Sequence, residues 1–152
     1  MKKLSYEQAL HRLAAYCSRA ERCVWDIRRK MDTMEIPSDQ QNRIVQHLQK
    51  EKFIDEERYC KAFVHDKSQY NRWGNHKIRF ELRKRQLPDT LIQETLKGLN
   101  PEETRERLRL LLEQKKKSVK GKNEWEIRQK LLRFAASRGF SQEDFELVTR
   151  NS

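Results

Sequence analysis

Apolar residues recur along most of this chain at steps of three and four, the spacing of one buried helix face. Leu10, Leu13, Ala14 and Cys17 make the first such face, Val24, Ile27 and Met31 the second, and Ile44, Val45 and Leu48 the third. The series continues with Tyr59, Ala62 and Phe63, then Ile78 and Leu82, then Leu91, Ile92 and Leu96. It closes with Leu108, Leu111 and Leu112, then Ile127, Leu131 and Phe134, then Phe145 and Val148. Start signals stand where runs begin: Ser5-Tyr6-Glu7-Gln8 and Ser38-Asp39-Gln40-Gln41 have capping-box form, and Asp55 precedes Glu56 and Glu57. Asn100-Pro101-Glu102-Glu103, Asn123 with Glu126, and Ser141 with Asp144 open the later runs. Gly74, Gly98, Gly121 and Gly139 follow or divide runs, and Pro37, Pro88 and Pro101 sit at run starts. No alternating strand pattern competes. The prediction is an all-α chain of nine helices.

A phrase within that pattern returns three times. Trp25–Met31 reads WDIRRKM, His76–Leu82 reads HKIRFEL and Trp125–Leu131 reads WEIRQKL. The shared core, I-R-x-x-[LM], falls at Ile27, Ile78 and Ile127, at intervals of 51 and 49 residues. A repeat of that period predicts three tandem three-helix units, 1–53, 54–99 and 100–152, in a modular array. The isoleucine and the leucine or methionine are expected in each unit's core, with Trp25 and Trp125 packed between helices.

Composition fits an elongated array of small bundles. Of 152 residues only 36% are hydrophobic and 38% are charged. The helical spacing argues against disorder, the other reading of such a composition. Cys17, Cys23 and Cys60 are odd in number and form no C-x-x-C pair, which reads as free thiols in a reducing cytoplasm. No apolar run approaches membrane-spanning length, and MKKLSYEQAL has no apolar stretch of the kind a signal peptide carries.

The net charge of +11 favours a polyanionic partner. It is uneven. Residues 67–87 hold Lys67, Arg72, Lys77, Arg79, Arg83, Lys84 and Arg85 against Glu81 alone. Residues 105–138 are also strongly basic, with the run Lys115-Lys116-Lys117-Ser118-Val119-Lys120-Gly121-Lys122 at a helix end. Arg28, Arg79 and Arg128 hold one position of the repeated phrase, so they could line up along a repeating polyanion. Each could equally belong to an i,i+4 pair on a solvated face. The loop Tyr70–His76 brings Trp73 beside Arg72; stacking on an unpaired base is one reading, and packing on neighbouring helices the favoured one. The candidate binding residues are Arg28, Arg72, Lys77, Arg79, Arg83, Lys84, Arg85, Lys115, Lys116, Lys117, Lys120, Lys122 and Arg128.

Catalytic signatures are missing. There is no phosphate-binding G-x-x-x-x-G-K-[ST], no G-x-S-x-G and no H-E-x-x-H, and His11, His47, His65 and His76 have no partners at ligand spacing. The sequence reads as a non-enzymatic binding protein without a cofactor or metal.

Three segments resemble the RecX family of recombination regulators: Phe53–Val64, FIDEERYCKAFV; Gly74–Arg85, GNHKIRFELRKR; and Arg133–Ser141, RFAASRGFS. Their order and spacing extend the likeness over nearly the whole chain. One departure is Cys23, a poor cap where the family has a helix-capping serine. The resemblance implies nine helices in three tandem three-helix units, in an elongated, curved array; a monomer is the default expectation, and the free thiols place the chain in the cytoplasm. It implies binding to the RecA recombinase filament on single-stranded DNA, lodged in the filament groove, limiting extension or favouring disassembly and so restraining recombination and the damage response. It also implies some DNA binding. From the residues alone, a protein with helix-turn-helix-like units acting directly on DNA is the alternative.

Overall fold

The computed structural model describes residues 3–150; the outermost residues of the first and third predicted units lie outside that range. Among the described residues there are nine helices and no strand: α1 Tyr6–Arg19, α2 Val24–Thr33, α3 Ser38–Lys50, α4 Glu56–Gln69, α5 Asn75–Lys84, α6 Asp89–Lys97, α7 Pro101–Lys116, α8 Glu124–Ser137 and α9 Gln142–Thr149. The principal helix contacts fall within the triplets α1–α3, α4–α6 and α7–α9. Each triplet closes on its own apolar cluster. The accessible surface is 10453 Å², whereas a compact protein of this mass would expose about 8,200 Å². The excess is that of small bundles joined in a row.

Five of the predicted starts form as read. Ser5 accepts from the Gln8 N–H at 3.1 Å while Gln8 accepts from the Ser5 N–H at 3.0 Å, a reciprocal capping box. Asp55 accepts from Arg58 at 3.0 Å, and that backbone bond holds its carboxyl below the usual range. Asn100, Asn123 and Ser141 accept from Glu102, Glu126 and Asp144. The box expected at Ser38 does not form. Pro37 is the cap, Ser38 is already helical, and buried Gln41 turns its amide inward to the Ile36 carbonyl at 2.9 Å and to Asp32 at 2.8 Å. The amide saturates a carbonyl that the turn would otherwise bury unpaired.

All three second helices end alike. Glu35, Gln86 and Gly139 have φ of 57°, 62° and 92°. The next N–H bonds to the carbonyl five residues back: Ile36 to Met31, Leu87 to Leu82, Phe140 to Ala135. Ile36, Leu87 and Phe140 are buried, which completes a Schellman motif in each unit. Counting back from this turn corrects the register of the third repeat. Ile27, Ile78 and Leu131 are structural equivalents, as are Met31, Leu82 and Ala135, because α8 has 14 residues against 10 in α2 and 10 in α5. The added turn lies at the α8 N-terminus. Ile127 is therefore only half-buried, and Trp125, expected to pack, is 70% exposed. Trp25 and Trp73 do pack, both against the second core.

The units interlock. Ile54 belongs to the first core and Cys23 to the second. At the other joint, the N–H groups of Gly74 and His76 donate to the Arg138 and Gly139 carbonyls at 2.7 and 3.0 Å. Orphan donors at the start of α5 thereby meet orphan acceptors at the end of α8, with the two helix dipoles head to tail. A Cβ on Gly74 would lie 2.4 Å from the Gly139 oxygen, and one on Gly139 2.4 Å from the Lys77 Cβ. The backbones meet because neither residue has a side chain.

Candidate functional site

The basic candidates divide by what each already touches. Arg85 is half-buried, 2.7 Å from Glu81, with its guanidinium over the Trp25 and Phe63 rings. Its hydrogen bond holds the Glu81 carboxyl below the usual range. Arg83 reaches from α5 to Asp89 of α6 at 2.9 Å. Arg28 donates to Asn42 of α3 at 3.1 Å. Arg128 donates to Glu146 and Thr149 of α9 at 2.7 and 2.9 Å and lies over the Phe145 ring. Lys77 sits on Trp73, and Lys115 on Phe134. These residues brace one helix or unit against another.

Among the described residues the remainder have no hydrogen-bonded or ion-paired acid: Arg72, Arg79, Lys84, Lys116, Lys117, Lys120 and Lys122. Six of them are exposed, and Arg79 is half-buried. Arg72 is carried on a turn with φ 57°. Lys116 and Lys117 close α7 beside its negative dipole end, where cations are favoured. Lys120 and Lys122 lie in the loop between α7 and α8, and the Lys130 ammonium donates to the Lys120 carbonyl at 2.5 Å.

The repeated arginines do not form a uniform outward row. Arg28 ties α2 to Asn42, and Arg128 ties α8 to Glu146, each the fifth residue of its unit's third helix. The fifth residue of α6 is Gln93. It lines the same cleft as Arg79 without a bond between them, and Arg83–Asp89 supplies the helix tie one turn later. Arg79 is the arginine of the phrase with no hydrogen-bonded or ion-paired partner among the described residues; in the register set by the turns its counterparts are Arg28 and Leu132, and Arg128 lies one turn earlier.

Two aromatic residues went unread as surface. Phe80 is 66% exposed, and Trp125 stands at the start of α8 beside the basic loop. Phe80 shares the outer face of α5 with exposed His76, Arg83 and Lys84, opposite Ile78 and Leu82. That placement follows from the helical spacing of the segment and was there to be found. An exposed aromatic ring among cations suits base stacking flanked by phosphate contacts. Trp73, the favoured packing residue, is half-buried, edge-on to Phe63.

The three thiols are free, and burial pushes the Cys23 thiol up to about 11. Among the described residues no group of His, Cys, Asp or Glu could hold a metal ion, and no helix is long and apolar enough to cross a membrane. The site's chemistry is that of cations and aromatic rings on a rigid helical frame.

Comparison with known proteins agrees with this frame. Residues 55–96 match the family model for the RecX second three-helix domain, and residues 102–148 the model for the third. A regulatory protein RecX from Haemophilus ducreyi is 32% identical over 139 residues, covering 90% of this chain and 87% of that protein. One from Actinobacillus pleuropneumoniae is 27% identical over the same shares. A crystal structure of a regulatory protein RecX superposes with a TM-score of 0.88 at 23% identity, over 95% of this chain and 73% of the other. That of RecX from Lactobacillus salivarius gives 0.82 at 16% identity, over 96% and 95%. The three-unit helical fold and a relative of this likeness matched over nearly its full length lead to one conclusion: the chain belongs to the RecX family of regulatory proteins.

Proposed function

We propose that this protein restrains homologous recombination by binding the RecA filament on single-stranded DNA. It lodges in the filament groove and limits extension or favours disassembly, without catalysis of its own. The observation that carries the reading is the division of the cations. Arg28, Arg83, Arg85 and Arg128 stiffen the frame, while Arg72, Lys84, Lys116, Lys117, Lys120 and Lys122 stand exposed on the second and third units, where a nucleoprotein polymer could meet them. A series of small rigid units can contact several filament subunits at once, and linked weak contacts raise avidity. It acts in the cytoplasm, as a monomer.

The test is recombinase ATPase on single-stranded DNA, titrated with this protein. A progressive fall at substoichiometric ratios is expected; no change at any ratio overturns the reading. Lys116→Ala, Lys117→Ala and Lys120→Ala together should weaken the inhibition and flatten its salt dependence. Arg79→Ala with Arg83→Ala should weaken it with the helical fold retained. The same titration on bare DNA separates a protein that reads duplex sequence directly, which would show sequence preference at moderate salt.

A further inference from the structure

Between the second and third units runs an open cleft of about 520 Å³, walled by α5, α6 and the start of α7. Arg79 and Lys97 enter it as cations with no ion-paired acid among the described residues. Its one acid, Asp144, already faces Arg105 at 3.9 Å. The cleft therefore carries uncompensated positive charge. Beside the cations, Leu96, Leu99 and Pro101 make an apolar wall. Asn75, Gln93 and Thr104 are the neutral polar residues of the lining.

These features select among anions. A nucleic acid would satisfy Arg79 and Lys97, but the cleft has no aromatic ring in its lining on which bases could stack. A peptide segment that alternates acidic and apolar side chains meets both features: carboxylate on Arg79 and Lys97, and apolar side chain on the leucine and proline wall. Comparison within the chain points the same way. In the first unit the arginine at the equivalent fold position, Arg28, is held by Asn42 of the third helix, whereas Arg79, facing this cleft, has no such bond.

We infer that the cleft between the second and third units is a docking site for an acidic-apolar peptide segment of a protein partner, with Arg79 and Lys97 as its carboxylate anchors. The inference rests on reading the chain as a regulator that docks on a protein filament, and it assigns Arg79 to the protein side of that contact. The cations of the α7–α8 loop and the outer face of α5 are left to nucleic acid.

The probe is a fluorescein-labelled peptide alternating glutamate and leucine, followed by anisotropy against the full chain. Its lysine–leucine counterpart and a labelled oligothymidylate run in parallel. The acidic peptide should bind and the lysine peptide should not. Arg79→Glu with Lys97→Glu should weaken the acidic peptide about tenfold or more, since two charge-assisted contacts are reversed. Arg79→Lys should retain part of the affinity. Oligothymidylate binding by the double variant should change far less, and Lys116→Ala with Lys117→Ala should show the opposite pattern. Because Arg79 is half-buried, Arg79→Gln serves as a second variant, with thermal melting monitored by helix content to confirm that it folds. No binding of the acidic peptide, equal binding of the lysine peptide, or a parallel loss of oligothymidylate in the charge-reversal variant each overturns the inference. The ATPase titration is independent: inhibition that persists without peptide binding sinks the cleft and spares the regulator, and peptide binding without inhibition does the reverse.

Discussion

The two joints of this array are built differently, and each difference traces to one or two residues. Between the second and third units, backbone meets backbone: Gly74 and His76 donate to the Arg138 and Gly139 carbonyls just past α8, and two glycines remove the side chains that would hold them apart. Between the first and second units, no backbone hydrogen bond joins α1–α3 to α4–α6. That joint is made of side chains. Cys23 is 1% exposed inside the second core, Trp25 packs on the same core, Arg85 lies over Trp25, and Arg58 reaches Glu21 at 2.6 Å. A backbone joint has one geometry and tolerates no added atom. A side-chain joint spreads its stability over several replaceable contacts and exposes it to pH. The second and third units should thus behave as one cooperative body, with the first more easily detached.

The largest effect should come from breaking the backbone joint. Gly139→Val puts a β-branched side chain at φ 92°, with its Cβ 2.5 Å from the Lys77 nitrogen. Loss of about 3 kcal/mol or more is expected, from left-handed strain added to overpacking. Denaturant unfolding should then split into separate transitions for the second and third units. Gly74→Ala should do nearly as much, because its Cβ would lie 2.4 Å from a carbonyl oxygen. Gly98→Ala is the control. Its φ of −71° suits any residue, and its Cβ would meet a single atom, the Thr95 carbonyl oxygen, at 3.2 Å. A change within about 1 kcal/mol is expected there. If Gly139→Val and Gly98→Ala destabilise alike, the distinction between the joints is wrong.

Much of the frame is legible in the sequence, and its misses have physical reasons. Starts at Ser5, Asp55, Asn100, Asn123 and Ser141 are legible because a side-chain acceptor beside an apolar run has one obvious use. Ser38 misleads because Pro37, the preceding residue, takes the cap position. The third repeat is aligned by the words I-R-x-x-L, whereas the fold aligns it by the turn that ends the helix. Two of the three turn residues, Glu35 and Gln86, are types that do not advertise a left-handed conformation. The one-turn slip places Trp125 in solvent and Ile127 at the margin of the core. The status of the arginines is harder to read. Arg28, Arg79 and Arg128 share a sequence context, but Arg128 lies one turn out of the fold's register, and Arg28 and Arg79 differ in the residue placed opposite them on the third helix, Asn42 against Gln93. That facing residue cannot be chosen until the helices are placed. The signature around Gly139 resembles a functional motif by its arrangement, yet its glycine is a joint.

The side-chain joint can be opened by alkali. Burial raises the Cys23 thiol to about 11 from 9.0, and it raises the neighbouring Tyr59 hydroxyl as well. An acid whose folded value is raised favours the native state below its unfolded value, and that contribution is lost as pH climbs through the folded one. Between pH 9 and 11 the first unit should therefore loosen by an amount of order 2 kcal/mol. Burial raises the Cys17 and Cys60 thiols in the same direction, so the first and second units share the loss, and the third unit, which has no cysteine or tyrosine, should hold. Hydrogen exchange against pH measures it, and Cys23→Ala should reduce the pH dependence over that window. A dependence unchanged by Cys23→Ala assigns the effect elsewhere.

Arg85 tests the same joint through packing. Arg85→Ala removes a guanidinium from two aromatic faces and leaves Glu81 unpaired, a loss of about 1 kcal/mol. Trp25 emission should shift red as its cover is lost. Glu81 adds an acid limb: its carboxyl is held low by Arg85, so its stabilising share is present above about 4.5 and fades as pH falls below that value. Arg85→Ala should erase that limb, and Arg85→Lys should keep part of it. If emission does not move, Trp25 is covered by something other than Arg85.

The smallest effect should come from the ion pair at the rim of the joint. Arg58 and Glu21 are 43% and 32% exposed at their side chains, so water and salt screen their attraction, and such pairs contribute about 1 kcal/mol or less. Arg58 also donates to the carbonyls of Lys52 and Phe53, at 3.1 and 3.3 Å, where the first unit hands over to the second. Truncation therefore removes more than the ion pair. Arg58→Ala, Glu21→Gln and their combination form a cycle that separates the two contributions. A coupling of about 0.5 kcal/mol that shrinks with salt, beside a larger loss for Arg58→Ala alone, is the outcome that a side-chain joint requires. Coupling that equals the whole loss would mean that the ion pair, and not the carbonyl contacts, anchors Arg58.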